Sequence, residues 1–401
     1  MGKNSTVIPA FSKDSKLKRR IRNHLRALGF QKNKNGNLIP PDSTKDSIRK
    51  VHAVHRADVL KRNADFVACQ LPKLKHYFAS GYEIDPGRIQ PKLELIRSGT
   101  WQSELFRLAT LSWSIPVSAG FGRRMRYLVW DQHNEKIIGL IALGDPVFNL
   151  KARDEYIGWD SEARRQRMVY ILDAYVLGAV PPYNSLLCGK LVACLVRTDQ
   201  VRRDFQSKYG QTIGIISQEA KRAKLVMVTT SSALGRSSVY NRLKINGEEY
   251  FRSIGFTGGW GHFHVPDDLF WDLREYLRGI GHKYVNSHAF GDGPNWRLRT
   301  IRAALDELGF RGDLLRHGIQ REVFTCNLAT NATKILLGEQ KRPIFSTIKS
   351  VDEVSELVKE RWIVPRAGRK PDYVGWDVVN FENLIKAGIS AQIRGLESKY
   401  C

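Results

Sequence analysis

Apolar residues recur with helical spacing through the first quarter of the chain. From residue 16 to about residue 98 they return every three or four positions, which predicts helices. Gly and Pro accumulate at residues 33–41 and 81–91, so we expect loops there. The N-terminal part of the chain is therefore predicted to be largely helical.

Shorter apolar runs bounded by turn-forming residues predict strands in the middle of the chain. Residues 125–131 and 136–143 flank the polar residues 132–135 and predict a β-hairpin. Strands and helices then alternate, which predicts an α/β core. The expected order is a strand at residues 168–176, a helix at 185–209, a strand at 225–230, a helix from about Ser237 and a strand at 262–265.

The rest of the chain predicts the end of this core and a separate tail. A helix reading WRLRTIRAALDELG and a short strand reading REVFTC close the core. A helix at residues 351–361 and a basic loop at residues 366–370 follow. We expect three regions: a basic helical region at residues 1–99, an α/β core at residues 100–327 and a C-terminal extension at residues 328–401.

Two negative findings bear on the compartment. No apolar run reaches the roughly 18 residues of a membrane span, and no signal peptide is visible, so we expect a cytoplasmic protein without a membrane span. The five cysteines form no CxxC pair and no zinc-ligand pattern, so we expect reduced thiols. Cys188 and Cys194 lie in an apolar helix and are interpreted as packing groups.

Positive charge is concentrated near the N-terminus. The chain has 64 Lys and Arg against 40 Asp and Glu, a formal charge of +24, which favours a polyanionic partner. Residues 1–62 contain sixteen Lys or Arg and four Asp, so half of the excess lies there. The segment LKRRIRNHLRALGF predicts an amphipathic helix with Ile21, Leu25 and Leu28 as its apolar stripe. Its basic face carries Arg19, Arg20, Arg22 and Arg26.

This basic helix has more than one interpretation. It suits nucleic-acid phosphates, where binding releases counterions and weakens steeply with salt. It also suits an anionic membrane surface. A solvated surface without a partner is the third interpretation.

Polar side chains cluster most densely at residues 225–265. A strand there ends in a run of hydroxyl residues, Thr229 to Ser232, and polar groups at the carboxyl end of a strand often line a ligand crevice. The turn that follows provides amides, hydroxyls and guanidinium groups that suit a phosphate. Its residues are Gly235, Arg236, Ser237, Ser238, Tyr240, Asn241 and Arg242. The alternative is that Ser237 caps a helix and Arg236 lies on the surface.

A second basic patch enters the predicted hairpin. Arg123, Arg124 and Arg126 in FGRRMRYLVW suit phosphate contacts. Alternatively, Arg126 pairs with Asp131 across the sheet. In the following segment, Arg153 and Asp154 are predicted to form a structural ion pair.

Two histidines, His262 and His264, stand one residue apart. On a strand both imidazoles would point to one face and a divalent metal could bridge them. His-hydrophobic-His is also the metal motif of the HUH endonucleases, which cut single-stranded DNA with a tyrosine nucleophile. Tyr240 and Tyr276 are the candidate nucleophiles. Alternatively, the histidines bind substrate or fill a groove.

The order of elements resembles the GNAT-type acetyltransferase fold over roughly residues 100–270, and the phrase YFRSIGF resembles the end of that fold. In the acetyltransferases a turn with the signature R/Q-x-x-G-x-G/A holds the pyrophosphate of acetyl-CoA. The equivalent residues here, 181–190, contain a single glycine, Gly189. We therefore expect a GNAT-like mixed α/β (α+β) sheet with flanking helices, without acetyl-CoA as its cofactor.

Several longer phrases in order carry a closer resemblance. They are WSIPVSAGFGRRMRYLVWD, IGLIALGDPVFNLKARDEYIGWD, DAYVLGAVPPYNSLLCGKLVA, TTSSALGRSSVYNRL and GFTGGWGHFHV. With them the chain resembles, from about residue 16 to residue 324, the DruA family of the Druantia anti-phage defence systems of bacteria. The resemblance implies a defence role beside other Druantia proteins, including a large helicase-like partner, and favours nucleic acid, with DNA first.

The sequence therefore favours an anti-phage defence protein that binds nucleic acid. The binding groups would be the basic N-terminal helix and a crevice formed by residues 229–242 and 258–264. Two alternatives stay open: a metal-dependent nuclease of the HUH type that uses His262, His264 and a tyrosine, and a GNAT-type acyltransferase. A divalent metal is the one cofactor that the sequence suggests.

Overall fold

The computed structural model describes residues 13–118, 120, 122–213, 220–285, 296–387 and 389. The chain divides into two compact units, a smaller one of Met1–Asp58 with Gly258–Gln320 and a larger one of Val59–Thr257 with Arg321–Cys401. These units cut the chain at other places than the expected boundaries after residues 99 and 327. The expected three-region division stays a prediction.

Helices occur along the whole described chain. Their bounds are α1 Lys13–Ala27, α2 Lys45–Arg62, α3 Ala64–Leu74, α4 Trp101–Thr110, α5 Lys151–Ile157, α6 Ser161–Arg167, α7 Cys188–Leu195, α8 Asp199–Tyr209, α9 Asp267–Gly279, α10 Trp296–Glu307, α11 Ala332–Leu337, α12 Val351–Val358 and α13 Val364–Arg369. Residues 378–387 are also helical. No helix in the described part of the chain is both long and apolar enough to cross a membrane.

The strands are shorter and lie mostly in the larger unit. Their bounds are β1 Gln31–Lys32, β2 Leu38–Ile39, β3 Pro91–Leu95, β4 Arg124–Asp131, β5 Lys136–Gly144, β6 Ile171–Ala179, β7 Gln211–Ile213, β8 Ala220–Arg222, β9 Met227–Ser231, β10 Lys244–Ile245, β11 Glu248–Glu249, β12 Arg252–Phe256 and β13 Glu322–Asn327.

A seven-stranded sheet organises the larger unit, in the order β12-β13-β9-β6-β5-β4-β3. Strands β6 and β9 are parallel, and the other neighbouring pairs are antiparallel. The fold class is therefore mixed α/β, as the sequence predicts. The expected hairpin is confirmed, since β4 and β5 pair antiparallel across residues 132–135.

Both faces of this sheet are buried. Successive residues of a strand point to opposite sides, so alternate residues of one strand belong to different cores. Tyr127 and Val129 of β4 belong to a core that they share with α7, α8 and α12. Leu128, between them, belongs to a second core with α3, α4 and the helical residues Phe381 and Ile385. Helices therefore cover the sheet on both sides.

The smaller unit is built around α1, α9 and α10. Helix α1 contacts α9, and α9 contacts α10. Ile21 and Leu25 of α1 are buried, as the predicted apolar stripe requires, while Leu28 is only partly buried. The amphipathic N-terminal helix is thereby confirmed.

Three secondary-structure predictions were wrong. The single helix expected at residues 185–209 is interrupted before α8, where Thr198 is extended (φ −112°, ψ 158°). The helix expected from Ser237 is a short 3-10 turn at Tyr240–Arg242. The strand expected at residues 262–265 is a turn, closed by a hydrogen bond of 3.0 Å from the Val265 amide to the His262 carbonyl. The small hairpin β1–β2 and the edge strand β3 were missed.

Candidate functional site

The parallel pair of the sheet ends at two polar side chains. Strands β6 and β9 pair through three positions, the last of which joins Asp173 to Thr229. Beyond it β6 continues beside β5, and β9 continues beside β13. The ladder between the two central strands therefore stops where the hydroxyl run of the sequence begins.

Asp173 is the polar centre of this end. Thr229 donates a hydrogen bond of 2.6 Å from Oγ1 to Oδ1 of Asp173. Burial raises the pKa of Asp173 to about 6, against the opposite effects of that hydrogen bond and of the charge of Arg153. A carboxyl group that titrates near neutral pH can hold or release a proton. Sequence reasoning missed Asp173, whose only signal is a single acid inside the apolar run MVYILDAYV.

A β-bulge lies two residues further along β6. Ala142 pairs with Val176 and Leu143 with Ala174, which leaves Tyr175 as the extra residue. The Tyr175 hydroxyl is buried and has no hydrogen-bond partner among the described residues. Burial raises the pKa of Tyr175, and Arg126 and Arg124 oppose that shift. Tyr175 was also missed from the sequence.

Tyr240 lies in an aromatic cluster. Its ring centroid is 5.1 Å from that of Phe251 and 5.2 Å from that of Phe324. Its hydroxyl donates a long hydrogen bond of 3.5 Å to the Leu177 carbonyl. Burial raises its pKa to about 12, so Tyr240 is a neutral phenol at physiological pH.

The turn predicted to hold a phosphate is closed around an internal carboxylate. The Ser237 amide donates to Oε2 of Glu322 at 2.9 Å, and Nδ2 of Asn241 donates to the same oxygen at 2.9 Å. Ser253 donates to Oε1 at 2.9 Å. Glu322 is 3% exposed and was not recognised from the sequence. Oγ of Ser237 accepts from the Tyr240 amide at 3.0 Å, beside the short 3-10 turn that takes the place of the expected helix.

Positive charge surrounds this turn. Arg236, Ser238 and Arg242 are exposed. Lys190, at the start of α7, is buried, and burial together with the charges of Arg242 and Arg361 lowers its pKa. Arg236 and Arg242 are therefore accessible to an anion, whereas the Ser237 amide already has an internal acceptor.

Arg123, the first member of the second basic patch, is used inside the fold. Its Nε donates to Oδ1 of Asp145 at 2.7 Å. Its two terminal nitrogens donate to the carbonyls of Val169 and Ile171 at 2.7 and 3.1 Å. These contacts hold the strand β4 in place and leave Arg123 little capacity for phosphate.

The other two members of this patch are more open. Arg124 is exposed and Arg126 is half-buried, with its guanidinium carbon 5.8 Å from the Phe106 ring centroid. The expected alternative pairing of Arg126 with Asp131 was wrong. Asp131 accepts hydrogen bonds from the Gln90 amide and the Tyr183 hydroxyl instead.

The four arginines of α1, in the smaller unit, are all exposed but differ in their contacts. Arg20 donates to Asp268 at 2.6 Å and also pairs with Asp272. Arg22 lies 5.7 Å from the ring centroid of Phe310. Arg19 and Arg26 are exposed. Arg20 is therefore held by acids of α9, and the side chains of Arg19, Arg22 and Arg26 are exposed.

His264 makes hydrogen bonds inside the fold. Its Nε2 donates to the Leu314 carbonyl at 3.0 Å, and its own carbonyl accepts from Nε2 of His24 at 2.8 Å. Its Nδ1 is buried without a hydrogen-bond partner among the described residues. Burial lowers the pKa of His264 to about 4.

His262 is held uncharged in the same way. Burial and the charge of Arg297 lower its pKa to about 4. The argument that His262 and His264 share one face required a strand, and the chain forms a turn there. Across the described ranges, no three His, Cys, Asp or Glu side chains are grouped so that they could hold a metal ion.

The remaining predicted residues are distributed between the units. Tyr276 lies on α9, and burial raises its pKa. The two segments expected to form one crevice belong to different compact units: residues 229–242 to the larger and residues 258–264 to the smaller. The roles given to the predicted residues stay predictions.

Comparisons with known proteins agree with the phrases quoted from the sequence. The family model of the Druantia protein DruA matches residues 42–338. A "Druantia protein DruA" of Escherichia coli (strain UMEA 4076-1) is 54% identical over 372 residues, which cover 93% of this chain and 92% of that protein. No solved structure matches the chain. On the family match and this identity, the chain belongs to the DruA family.

Proposed function

We propose that this DruA-family protein acts in a bacterial Druantia anti-phage defence system and binds DNA through α1. The observation that carries the proposal is the exposed basic face of that helix. Ile21 and Leu25 are buried, while Arg19, Arg22 and Arg26 are exposed. Three cations on one face of a helix suit contacts with phosphates, and each such contact releases a counterion.

Aromatic side chains beside cations support a nucleic-acid surface in the same unit. Trp260 and Trp271 are 46% and 49% exposed. Arg302 lies 5.2 Å from the Trp260 ring centroid, and Arg274 lies 5.1 Å from that of Trp271. Exposed aromatic rings give bases a stacking surface, and the neighbouring guanidinium groups attract the backbone.

The larger unit adds further basic groups. Arg124, Arg236 and Arg242 are exposed and suit phosphate contacts, while Arg126 is only half-buried. Membership of the family supports action beside other Druantia proteins, with a helicase-like partner, in the bacterial cytoplasm.

The test is a salt series of binding to labelled single-stranded and duplex DNA. Replacing Arg19, Arg22 and Arg26 by Gln should weaken binding, because each lost contact lowers the salt slope by about 0.7 to 0.9. Replacing the exposed Lys341, Arg342 and Arg369 by Gln removes the same charge elsewhere and serves as the control.

The outcomes separate the interpretations of α1. A slope reduced by about two to three in the α1 variant alone supports the proposal. Equal effects of the two variants, or binding that is insensitive to salt, would overturn it. Binding to anionic lipid vesicles without binding to DNA would assign α1 to a membrane surface instead.

Three features of the larger unit favour the acyltransferase alternative as a second candidate. The seven-stranded sheet has a single parallel pair and a β-bulge at Tyr175, and α7 is the next α-helix after β6. Lys190 near the start of α7, with Arg242 and Arg361 close to it, suits a phosphate group. Calorimetry with acetyl-CoA tests this candidate: binding lost in Lys190→Gln supports it, and no binding to the wild type excludes it.

A further inference from the structure

A polar pocket of about 480 Å³ lies in the larger unit, apart from the residues discussed so far. The hairpin β10–β11 forms one wall with Lys244 and Glu248, and the end of β13 contributes Asn327. Arg197, which follows α7, and Thr347 also line the pocket. A volume of several hundred Å³ is in the range of small-molecule sites.

Three buried polar atoms of this pocket have no hydrogen-bond partner in the described structure. They are Nε of Arg197, Oε2 of Glu248 and Oδ1 of Asn327. A buried polar atom without a partner costs about 1 to 3 kcal/mol, so folded proteins rarely keep several together. Their convergence on one pocket points to a ligand that satisfies them.

The guanidinium group of Arg197 is held in position for such a ligand. Its side chain is 8% exposed, and its terminal nitrogen donates to the Thr347 hydroxyl. The guanidinium carbon lies 5.0 Å from the ring centroid of Tyr250. Oε2 of Glu248 is 3.3 Å from the same terminal nitrogen, within ion-pair distance but outside hydrogen-bond geometry. The carboxylate oxygen therefore keeps its capacity to accept.

The unsatisfied atoms define what the ligand must offer. They are one N–H donor and two acceptor oxygens, so a ligand that satisfies all three needs one acceptor and two donors. Among the natural bases, guanine alone has this set on its Watson–Crick edge, with O6 as acceptor and N1–H and N2–H as donors. Arg is also the usual partner of guanine O6, although that contact is made in the major groove of duplexes.

The charge of the pocket suits one nucleotide. Arg197, Lys244 and Arg252 stand against Glu248 and Glu249, which leaves a net charge of +1. Glu249 is paired with Arg252 at 2.8 Å and with Lys244 at 3.8 Å. The excess cation matches the single negative charge of one phosphodiester.

From these contacts we propose that the pocket of Arg197, Glu248 and Asn327 binds one unstacked guanine of a single-stranded nucleic acid. The inference rests on the proposed DNA binding and adds a base preference to it. Oε2 of Glu248 and Oδ1 of Asn327 accept from N1–H and N2–H of the base, and Nε of Arg197 donates to O6. An unstacked base exposes this edge only in a single strand.

The test uses labelled oligothymidylates that carry one central guanine, hypoxanthine, adenine or cytosine. The contacts between the protein and the correct base are expected to raise the affinity about tenfold or more. Guanine should bind at least tenfold more tightly than adenine or cytosine. Hypoxanthine, which lacks the 2-amino group, should fall between them. This series needs only the wild-type protein, so it does not depend on the folding of a variant.

Two variants locate the preference in the pocket. Glu248→Gln keeps the size of the side chain and should abolish the guanine preference, while binding to the thymidylate strand stays. Glu339→Gln, an exposed glutamate of the same unit, should keep it. If the wild type binds all oligonucleotides equally, the guanine pocket is refuted while DNA binding stands. If it binds none of them, the proposed function itself fails.

Discussion

The backbone amide of Ser237 donates a hydrogen bond of 2.9 Å to the carboxylate of Glu322, 85 residues further along the chain. The turn at Ser237 thus binds a carboxylate of the protein itself, and its role in binding phosphate stays a prediction. Phosphate at this amide would have to displace a buried carboxylate. The exposed Arg236 and Arg242 are the groups of the turn that stay open to a partner.

Replacing Glu322 by Gln should destabilise the larger unit by about 2 to 4 kcal/mol. The carboxylate accepts three hydrogen bonds, and an amide of the same size turns a donor toward one of these donors. Urea denaturation measures the free energy of unfolding. Glu339→Gln is the matched control and should change it by less than about 0.5 kcal/mol. Equal effects of the two substitutions would show that the hydrogen bonds of Glu322 do not stabilise the larger unit.

The paired histidines predict a loss of stability in acid. His262 and His264 have pKa values of about 4 in the folded protein, against 6.5 in the unfolded chain. The unfolded state therefore binds more protons between these values, so stability is full above pH 6.5 and falls as the pH drops toward 4. At about 1.4 kcal/mol for each pKa unit, lowering the pKa from 6.5 to about 4 corresponds to about 3 to 4 kcal/mol for each histidine.

Hydrogen exchange of the α9 amides, corrected for the intrinsic rate at each pH, measures this loss in the smaller unit. His264→Gln should lower stability at pH 8 but flatten the slope between pH 6.5 and 4. His76→Gln, at an exposed histidine of the larger unit, is the control and should leave the α9 slope unchanged. A slope in His264→Gln as steep as in the wild type would contradict the prediction.

Local patterns predicted those parts of the fold that depend on neighbouring residues. The hairpin β4–β5 follows from two apolar runs around a polar turn, and the pair Arg153–Asp154 from adjacent charges, with Nη2 of Arg153 2.6 Å from Oδ1 of Asp154. The turn at residues 262–265 was missed because it is closed by a backbone hydrogen bond from the Val265 amide to the His262 carbonyl, which an apolar-polar pattern does not reveal.

The groups of the candidate site that were missed depend on distant parts of the chain. Asp173 gains its hydrogen bond from Thr229, 56 residues later. Glu322 is recognisable only once β13 lies beside β9. Single buried acids in apolar runs are the signal to look for, but their partners come from the sheet order, which periodicity does not provide.

The nuclease alternative predicts a covalent DNA adduct, and we expect none. Burial raises the pKa of both candidate tyrosines, to about 12 for Tyr240, which makes the phenolate rare at neutral pH. Incubation with labelled single-stranded DNA and manganese, followed by a denaturing gel, is the measurement. Wild type, Tyr276→Phe and His262→Ala should look alike. An adduct of the wild type that Tyr276→Phe abolishes would establish the alternative.

Removing the guanidinium group of Arg153 should cost about 3 to 5 kcal/mol of folding free energy. Arg153 is fully buried and donates to Asp154 and to the carbonyls of Val147 and Phe148. Arg153→Met leaves these acceptors without a partner. Arg165→Met is the matched control, because Arg165 pairs with Glu162 on the surface, and it should cost less than about 1 kcal/mol. Similar losses of stability in the two variants, measured by thermal or urea denaturation, would show that the buried pair stabilises the fold no more than the surface pair does.

Asp173 predicts a pH dependence of the opposite sign to that of the histidines. Its pKa is raised from 3.8 to about 6 by burial, so the folded state binds more protons than the unfolded state between these values. Stability is full below pH 3.8 and falls as the pH rises through 6, by about 3 kcal/mol in total.

Asp173→Asn removes the buried charge and should stabilise the larger unit at pH 8 by about 1 to 3 kcal/mol. Hydrogen exchange of the β6 and β9 amides, compared between pH 5 and 8, measures it. Asp372→Asn, at an exposed acid of the same unit, is the control. If Asp173→Asn destabilises at pH 8, the carboxylate is needed for the fold; if it stabilises, its presence is a cost that points to a use of Asp173 outside folding.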